Sequence, residues 1–289
     1  MRALVFSGGG ARIHYHAGAA SVLLPSAEYG LLAGVSAGAL VAAYLAQYKV
    51  GEEDKAIKAL IRQVKRMKTE DVMEPWPFLG RVAGLWRSSF YSSEPLRELV
   101  RREISVAAVQ TSGRRLRIGA VDIRSGELSI FTESCQFLRE AVISSAAYPA
   151  VFEPGRISGR TFMDGGVRAY APIGAAIEAG ATNIDVVIPE PRQVSPVSRE
   201  LEDAPSVAIR AVDIMLNELM LKDLRLAELH NALIKAGAAK PGKREVSVTV
   251  IRPLRSLGID VFDFSSEKAA AGFEQGAEDA RRSLLGKAS

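Results

Sequence analysis

Apolar and polar positions along the chain follow two rhythms. Short, largely apolar runs at Ala3–Phe6, Leu31–Val35 and Asn183–Ile188 have the length and character of buried strands. Longer stretches in which apolar residues return every three to four positions read as helices: Ala17–Leu24, Ala39–Tyr48, Glu94–Ile104, Phe137–Ala147, Pro172–Ala179, Ser206–Lys235 and Lys268–Leu285. Glu52–Thr69 is a charged amphipathic helix, with Ile57, Leu60, Ile61 and Val64 on its apolar side. Leu116–Asp122 and Leu128–Thr132 form a hairpin pattern around Ser125-Gly126, Arg160–Asp164 a short strand, and Glu245–Ile251 an alternating one. Strand–helix–strand–helix order predicts an α/β fold with a mostly parallel central sheet flanked by helices. In such sheets ligands bind beyond the carboxyl ends of the strands.

Two stretches break the rhythm. Glu74–Phe90 holds both tryptophans, Trp76 and Trp86, among prolines and glycines. It fits a core-packing segment, an apolar lid or a groove for an acyl chain. Pro189–Pro205 is rich in Pro, Ser and charge and reads as a surface loop. Neither is a linker, and no repeat is evident, so residues 1–289 are expected to form a single domain.

Composition narrows the classes. The 289 residues are 48% hydrophobic and 24% charged, as in ordinary globular chains. A net charge of +4 fits at most weak attraction to an anionic surface, and the basic face of Glu52–Thr69 is most simply solvated. Nothing in the pattern points to nucleic acid. Cys135 is the only cysteine, so no internal disulfide forms and a reducing compartment is compatible. The apolar start at Met1–Phe6 is too short for a signal-peptide core, and no apolar run reaches about 18 residues. A soluble, cytoplasmic protein is expected, with export lacking an N-terminal signal still open.

Three clusters carry candidate chemistry. Gly34-Val35-Ser36-Ala37-Gly38 joins an apolar strand to a helix with nucleophile-elbow spacing. A sharp turn there would push Ser36 outward and leave the Ala37 amide, at the helix start, for a developing oxyanion. Ser7-Gly8-Gly9-Gly10-Ala11-Arg12 follows the first strand, an arrangement that presents backbone amides to a phosphate or an oxyanion. A dinucleotide fingerprint fails at Ile13, where a third glycine is required, and a P-loop lacks its Lys-Ser/Thr. Asp164-Gly165-Gly166 is a tight-turn signal, or an exposed carboxylate set at a strand end. His14 and His16 lack a clear third ligand for a metal.

These motifs, in this order, resemble the patatin-like phospholipase family over roughly residues 3 to 188, with further likeness in 91–99, 144–154 and 167–179. The resemblance implies a three-layer α/β sandwich that hydrolyses acyl esters of lipids with a Ser–Asp dyad and no cofactor. It makes Ser36 the nucleophile and Asp164 its partner. Gly8, Gly9 and Gly10 would supply oxyanion amides, with Arg12 supporting their loop. The substrate would be a phospholipid or other acyl ester, met through transient contact with a membrane surface. The chain departs from the family at Ile13, where Gly is usual, and at Tyr170, where Asn is common. A non-catalytic member acting by lipid or protein binding is the alternative. His14, His16 and His230 are expected to be structural. A Ser–His–Asp triad would instead show a turnover profile rising near pH 6.5, since an unperturbed Asp titrates near about 4.

Overall fold

The computed structural model describes residues 1–76, 88–193, 204–238, 244–264 and 266–286. In chain order its elements are β1 (Arg2–Phe6), α1 (Ile13–Ser26), β2 (Leu31–Gly34), α2 (Ala37–Leu45), α3 (Glu53–Arg66), β3 (Glu74–Pro75), β4 (Tyr91–Ser92), α4 (Glu94–Glu103) and α5 (Val106–Thr111). They continue with β5 (Arg115–Asp122), β6 (Leu128–Thr132), α6 (Leu138–Ser145), β7 (Gly155–Ile157), β8 (Arg160–Asp164), α7 (Ile173–Glu178), β9 (Asn183–Val187), α8 (Ala204–Lys235), β10 (Ser247–Ile251) and α9 (Ser266–Leu285). Most expected elements are present. α1 starts four residues earlier than its apolar pattern, because a short 3-10 turn at Gly10–Arg12 feeds straight into it. It also runs past the expected end at Leu24, through Pro25 to Ser26. Most of the Trp-rich stretch lies outside the described residues. At its ends, the Trp76 indole donates to Ser89 O at 3.0 Å.

The main sheet has eight strands in the order β10-β9-β1-β2-β5-β8-β7, with β6 also on β5. From β10 to β5 the pairing is parallel, and β6, β7 and β8 join antiparallel. Side-chain alternation divides the core. Leu4, Phe6 and Leu32 face helices α1 to α4, together with α9. Ala3, Val5, Leu31 and Ala33 face α7 and α8. The result is the expected three-layer α/β sandwich.

The C-terminal helix is fastened to α1 by missing side chains. A Cβ on Gly18 would lie 1.9 Å from Phe273 O, and one on Gly276 would lie 2.2 Å from Tyr15 O. The Tyr15 hydroxyl donates to Asp279 at 2.7 Å across the same seam. A side chain at Gly18 must therefore part the two helices. Gly18→Val is expected to cost about 3 kcal/mol in thermal or urea denaturation. Gly174→Ala, where nothing lies within 4 Å of the new methyl, should be neutral or stabilise by up to about 1 kcal/mol.

Candidate active site

Ser36 lies between β2 and α2 with φ 56° and ψ −128°, a conformation rare for a residue with a side chain. Such strain costs on the order of 1–3 kcal/mol and persists only where its surroundings enforce it. Backbone crowding explains both flanking glycines. A Cβ on Gly34 would stand 2.2 Å from Gly38 O, and one on Gly38 would stand 2.4 Å from the carbonyl oxygens of Phe6 and Ser7. The Ser36 amide donates to the carbonyl and the hydroxyl of Ser145, at 3.1 and 3.0 Å. The Ser145 hydroxyl in turn donates to Gly119 O at 2.6 Å. That buried serine, at the end of α6, pins the elbow to β5.

Sheet register explains how Asp164 reaches Ser36. β6 occupies one edge of β5 from Arg117 to Val121. β2 pairs with Arg115–Ile118 and β8 with Ala120–Asp122, so both must use the other edge, end to end. The two strands point toward each other and stop on either side of Gly119. Ser36 follows the end of one, and Asp164 closes the other. A Cβ on Gly165 would come within 2.4 Å of Gly119 O, which accounts for the first glycine of the Asp-Gly-Gly turn.

Asp164 is not the exposed carboxylate that its turn suggests; it is only 3% exposed, because β8 runs inward along β5. Its Oδ1 accepts the Gly166 amide at 2.7 Å, while Oδ2 is buried without a partner. Burial pushes its pKa up to about 7, although the Gly166 amide and the nearby Ser36 hydroxyl favour the charged form. The hydroxyl is close enough to exert that pull, yet no well-directed hydrogen bond joins the pair.

The Gly-rich loop forms the facing wall. Gly9 and Gly10 have φ of 155° and 54°, which side chains rarely adopt. The Gly8 amide donates to Tyr170 O at 3.0 Å, the Ala11 amide to Val261 O at 2.8 Å, and the Arg12 amide to Gly9 O at 3.1 Å. Among the described residues, no acceptor takes the amides of Gly9, Gly10 or Ala37, and all three residues line the cavity. The Arg12 side chain braces this loop from behind. Its Nε donates to Ile259 O at 3.1 Å, and Nη1 to Glu190 at 2.6 Å. The Tyr170 hydroxyl donates to the same Glu190 oxygen at 2.6 Å, with its ring packed beneath Gly8.

The histidines hold backbone. His16 Nε2 lies 3.3 Å from Gly8 O, and burial lowers the pKa of this ring to about 4. His14 places Nδ1 2.8 Å from Ala11 O and Nε2 3.2 Å from Val64 O. His230 meets Arg244 O at 2.9 Å on α8. None is among the residues described as lining the cavity. Among the described residues, no three His, Cys, Asp or Glu side chains converge as a metal site would require.

Ser36 and Asp164 open on a cavity of about 140 Å³. Its apolar lining includes Ile13, Leu40, Met67, Val72, Leu96 and Phe264. Its polar lining includes Arg12, Glu190, Arg210, Asp213 and Asn217. Pro189 to Pro191, read from sequence as the start of a surface loop, form part of this wall.

The family model for patatin-like phospholipases matches residues 4–177, more than half of the chain. The chain belongs to the patatin-like phospholipases. The chain is 29% identical over 190 residues to the uncharacterized protein YqhO of Bacillus subtilis (strain 168). That alignment spans 58% of this chain and 64% of YqhO, less than two thirds of the relative's length. The fold also aligns with VipD from Legionella pneumophila at 13% identity and a TM-score of 0.44, over 99% of this chain and 67% of that one. The likeness to VipD is too loose to bear on function. Among the described residues, no helix of this patatin-like protein is long and apolar enough to cross a membrane.

Sequence reasoning missed the braces around the matched motifs. Ser145, Glu190 and the carbonyls of Ile259 and Val261 all support the site, and the last three lie beyond residue 177. Only Ser145 lay in a stretch already noted for likeness, and two of the others contribute backbone oxygens that carry no side-chain signal.

The buried carboxylate gives a signed test. The proton binds more tightly to folded Asp164, at about 7 against an ordinary 3.8, so this group lowers stability as pH rises between those values. Asp164→Asn removes that burden and can keep the acceptor for Gly166. The melting temperature of the variant relative to the parent should therefore rise from pH 4 to pH 8 and level off above it. A variant that loses ground over that range in differential scanning fluorimetry would contradict the raised pKa.

Proposed function

We propose that this patatin-like protein is a serine acyl hydrolase that cleaves lipid acyl esters with Ser36 as nucleophile and Asp164 as base. The observation that carries the reading is the unpartnered Oδ2 of Asp164, buried beside a strained serine at the mouth of an apolar cavity. A buried acceptor without a donor is costly in a folded protein, and such costs collect at functional sites. The raised pKa also brings a carboxylate into the range where a general base works at neutral pH.

In the proposed reaction Ser36 Oγ bonds to the ester carbonyl carbon while its proton passes to Asp164 Oδ2. The carbonyl oxygen becomes an oxyanion held by the free amides of Gly9, Gly10 and Ala37. Gly8 and Arg12 shape this cradle through their bonds to Tyr170, Ile259 and Glu190. Collapse of the intermediate breaks the ester C–O bond, and Asp164 returns the proton to the leaving alcohol. Water then attacks the acyl-enzyme, giving its proton to Asp164, and a second collapse releases the acid and restores the serine proton. The acyl chain lies against the apolar side chains of the cavity, and the alcohol portion faces Arg12, Glu190 and Asp213. Substrate reaches the site by transient contact with a lipid surface. Residues 1–289 act as one domain, because the C-terminal segment supplies part of the wall.

Ser36 should label with a fluorophosphonate probe, and Ser36→Ala should abolish the label. Asp164→Asn should nearly abolish ester turnover, while His14→Gln and His16→Gln retain most of it if they remain folded. The kcat/KM profile should rise with a midpoint near pH 7, set by Asp164. A rise in that region no longer signals histidine by itself, so the variants decide: an inactive, folded His16→Gln would replace the dyad with a triad.

Gly9→Ala tests the cradle. Its methyl would press to 2.7 Å from Pro189 and strain a φ of 155°, displacing amides that matter mainly in the transition state. Turnover should drop by about a hundredfold to a thousandfold with a smaller change in KM. An unchanged kcat would remove Gly9 from the oxyanion hole.

A further inference from the structure

Adjoining the cavity is a second, smaller pocket of about 30 Å³, half open, between α2, α3 and α4. The buried Leu60, Val64, Leu99, Val100 and Ile104 line it. Its lining is apolar apart from Tyr44, Gln63 and Glu103, which are partly exposed. The two cavities share three lining residues, Ile13, Leu40 and Met67. Leu40 lies one helical turn past Ser36 on α2, which places this shared wall along the route leading inward from the serine.

We propose that Ile13, Leu40 and Met67 form a constriction that sets the acyl-chain length accepted by this site, with the methyl end of a long chain passing between them into the second cavity. This rests on the hydrolase reading above. The three side chains differ in how they yield. Ile13 is β-branched and held at the first residue of α1, so it is stiff. Met67 follows the end of α3 and is unbranched, so its thioether can swing aside. A volume of 30 Å³ holds roughly two to three carbons, taking a methylene as about the size of a water. Each carbon buried there is worth roughly fourfold in binding. The expected signature is a rise in kcat/KM with chain length that pauses where the first cavity is full. It resumes for two to three further carbons and then stops.

The test uses p-nitrophenyl esters from butyrate to palmitate with the parent chain, Leu99→Phe and Met67→Ala, each checked for folding by its melting curve. Leu99→Phe fills the second cavity and should cut the long-to-short selectivity roughly tenfold or more. Met67→Ala widens the constriction and should shift the optimum toward longer chains. A parallel arm measures binding of saturated fatty acids of the same lengths to Ser36→Ala by calorimetry, alone and combined with either substitution. Ester hydrolysis with a length profile that neither substitution moves overturns the constriction and leaves the hydrolase intact. Absence of hydrolysis and of fluorophosphonate labelling, with fatty-acid binding that keeps the length step and loses it in Leu99→Phe, overturns the hydrolase and leaves the constriction standing. Fatty-acid binding without any length step overturns the constriction on its own.

Discussion

The ends of β2 and β8 meet on either side of Gly119, and the geometry of the site follows from that junction. β2 and β8 share one edge of β5 and end facing each other, so the residues that follow or close them are neighbours despite being 128 positions apart. The gap between the strand ends leaves Gly119 O without a strand partner on that edge. The Ser145 hydroxyl takes it and passes the connection to the Ser36 amide. A side chain on Gly165 would strike the same oxygen.

Placing Asp164 inside that junction has an electrostatic consequence. A carboxylate at a strand terminus would ordinarily be wet and fully charged at neutral pH. Here desolvation outweighs the Gly166 amide and the Ser36 hydroxyl, and the group sits near the point where it can both hold and release a proton. His16 experiences the same desolvation with the opposite sign and is driven toward its neutral form, bound to the carbonyl of Gly8. One physical effect therefore keeps the Asp164 carboxyl group titratable while keeping the His16 imidazole uncharged.

Much of this was legible in the sequence, for identifiable reasons. Apolar runs such as Ala3–Phe6 must be covered on both faces, which made the parallel sheet readable, and the hairpin around Ser125-Gly126 followed from its turn residues. Ser36 stood out because only glycines fit beside so tight a turn. Asp164 was located correctly and its burial missed, since the end-to-end meeting of β2 and β8 is a matter of register that spacing does not encode. Ile13 and Tyr170 were visible only as departures. In the structure Ile13 lines the second cavity, and Tyr170 supports Gly8 while holding Glu190. The helix α5 went unseen because its six residues, Val106–Thr111, are too few to show a period.

The bond from the Ala11 amide to Val261 O, and the seam in which Gly276 lies against Tyr15, join the first glycines of the chain to its last helix. During synthesis, a chain elongated through β10 already contains Ser36 and Asp164 but has neither the carbonyl that anchors the Gly-rich turn nor the helix that clamps α1. The cradle is completed only when α9 has left the ribosome and docked. Whatever chemistry the cavity performs is withheld from the nascent polypeptide until that helix is in place.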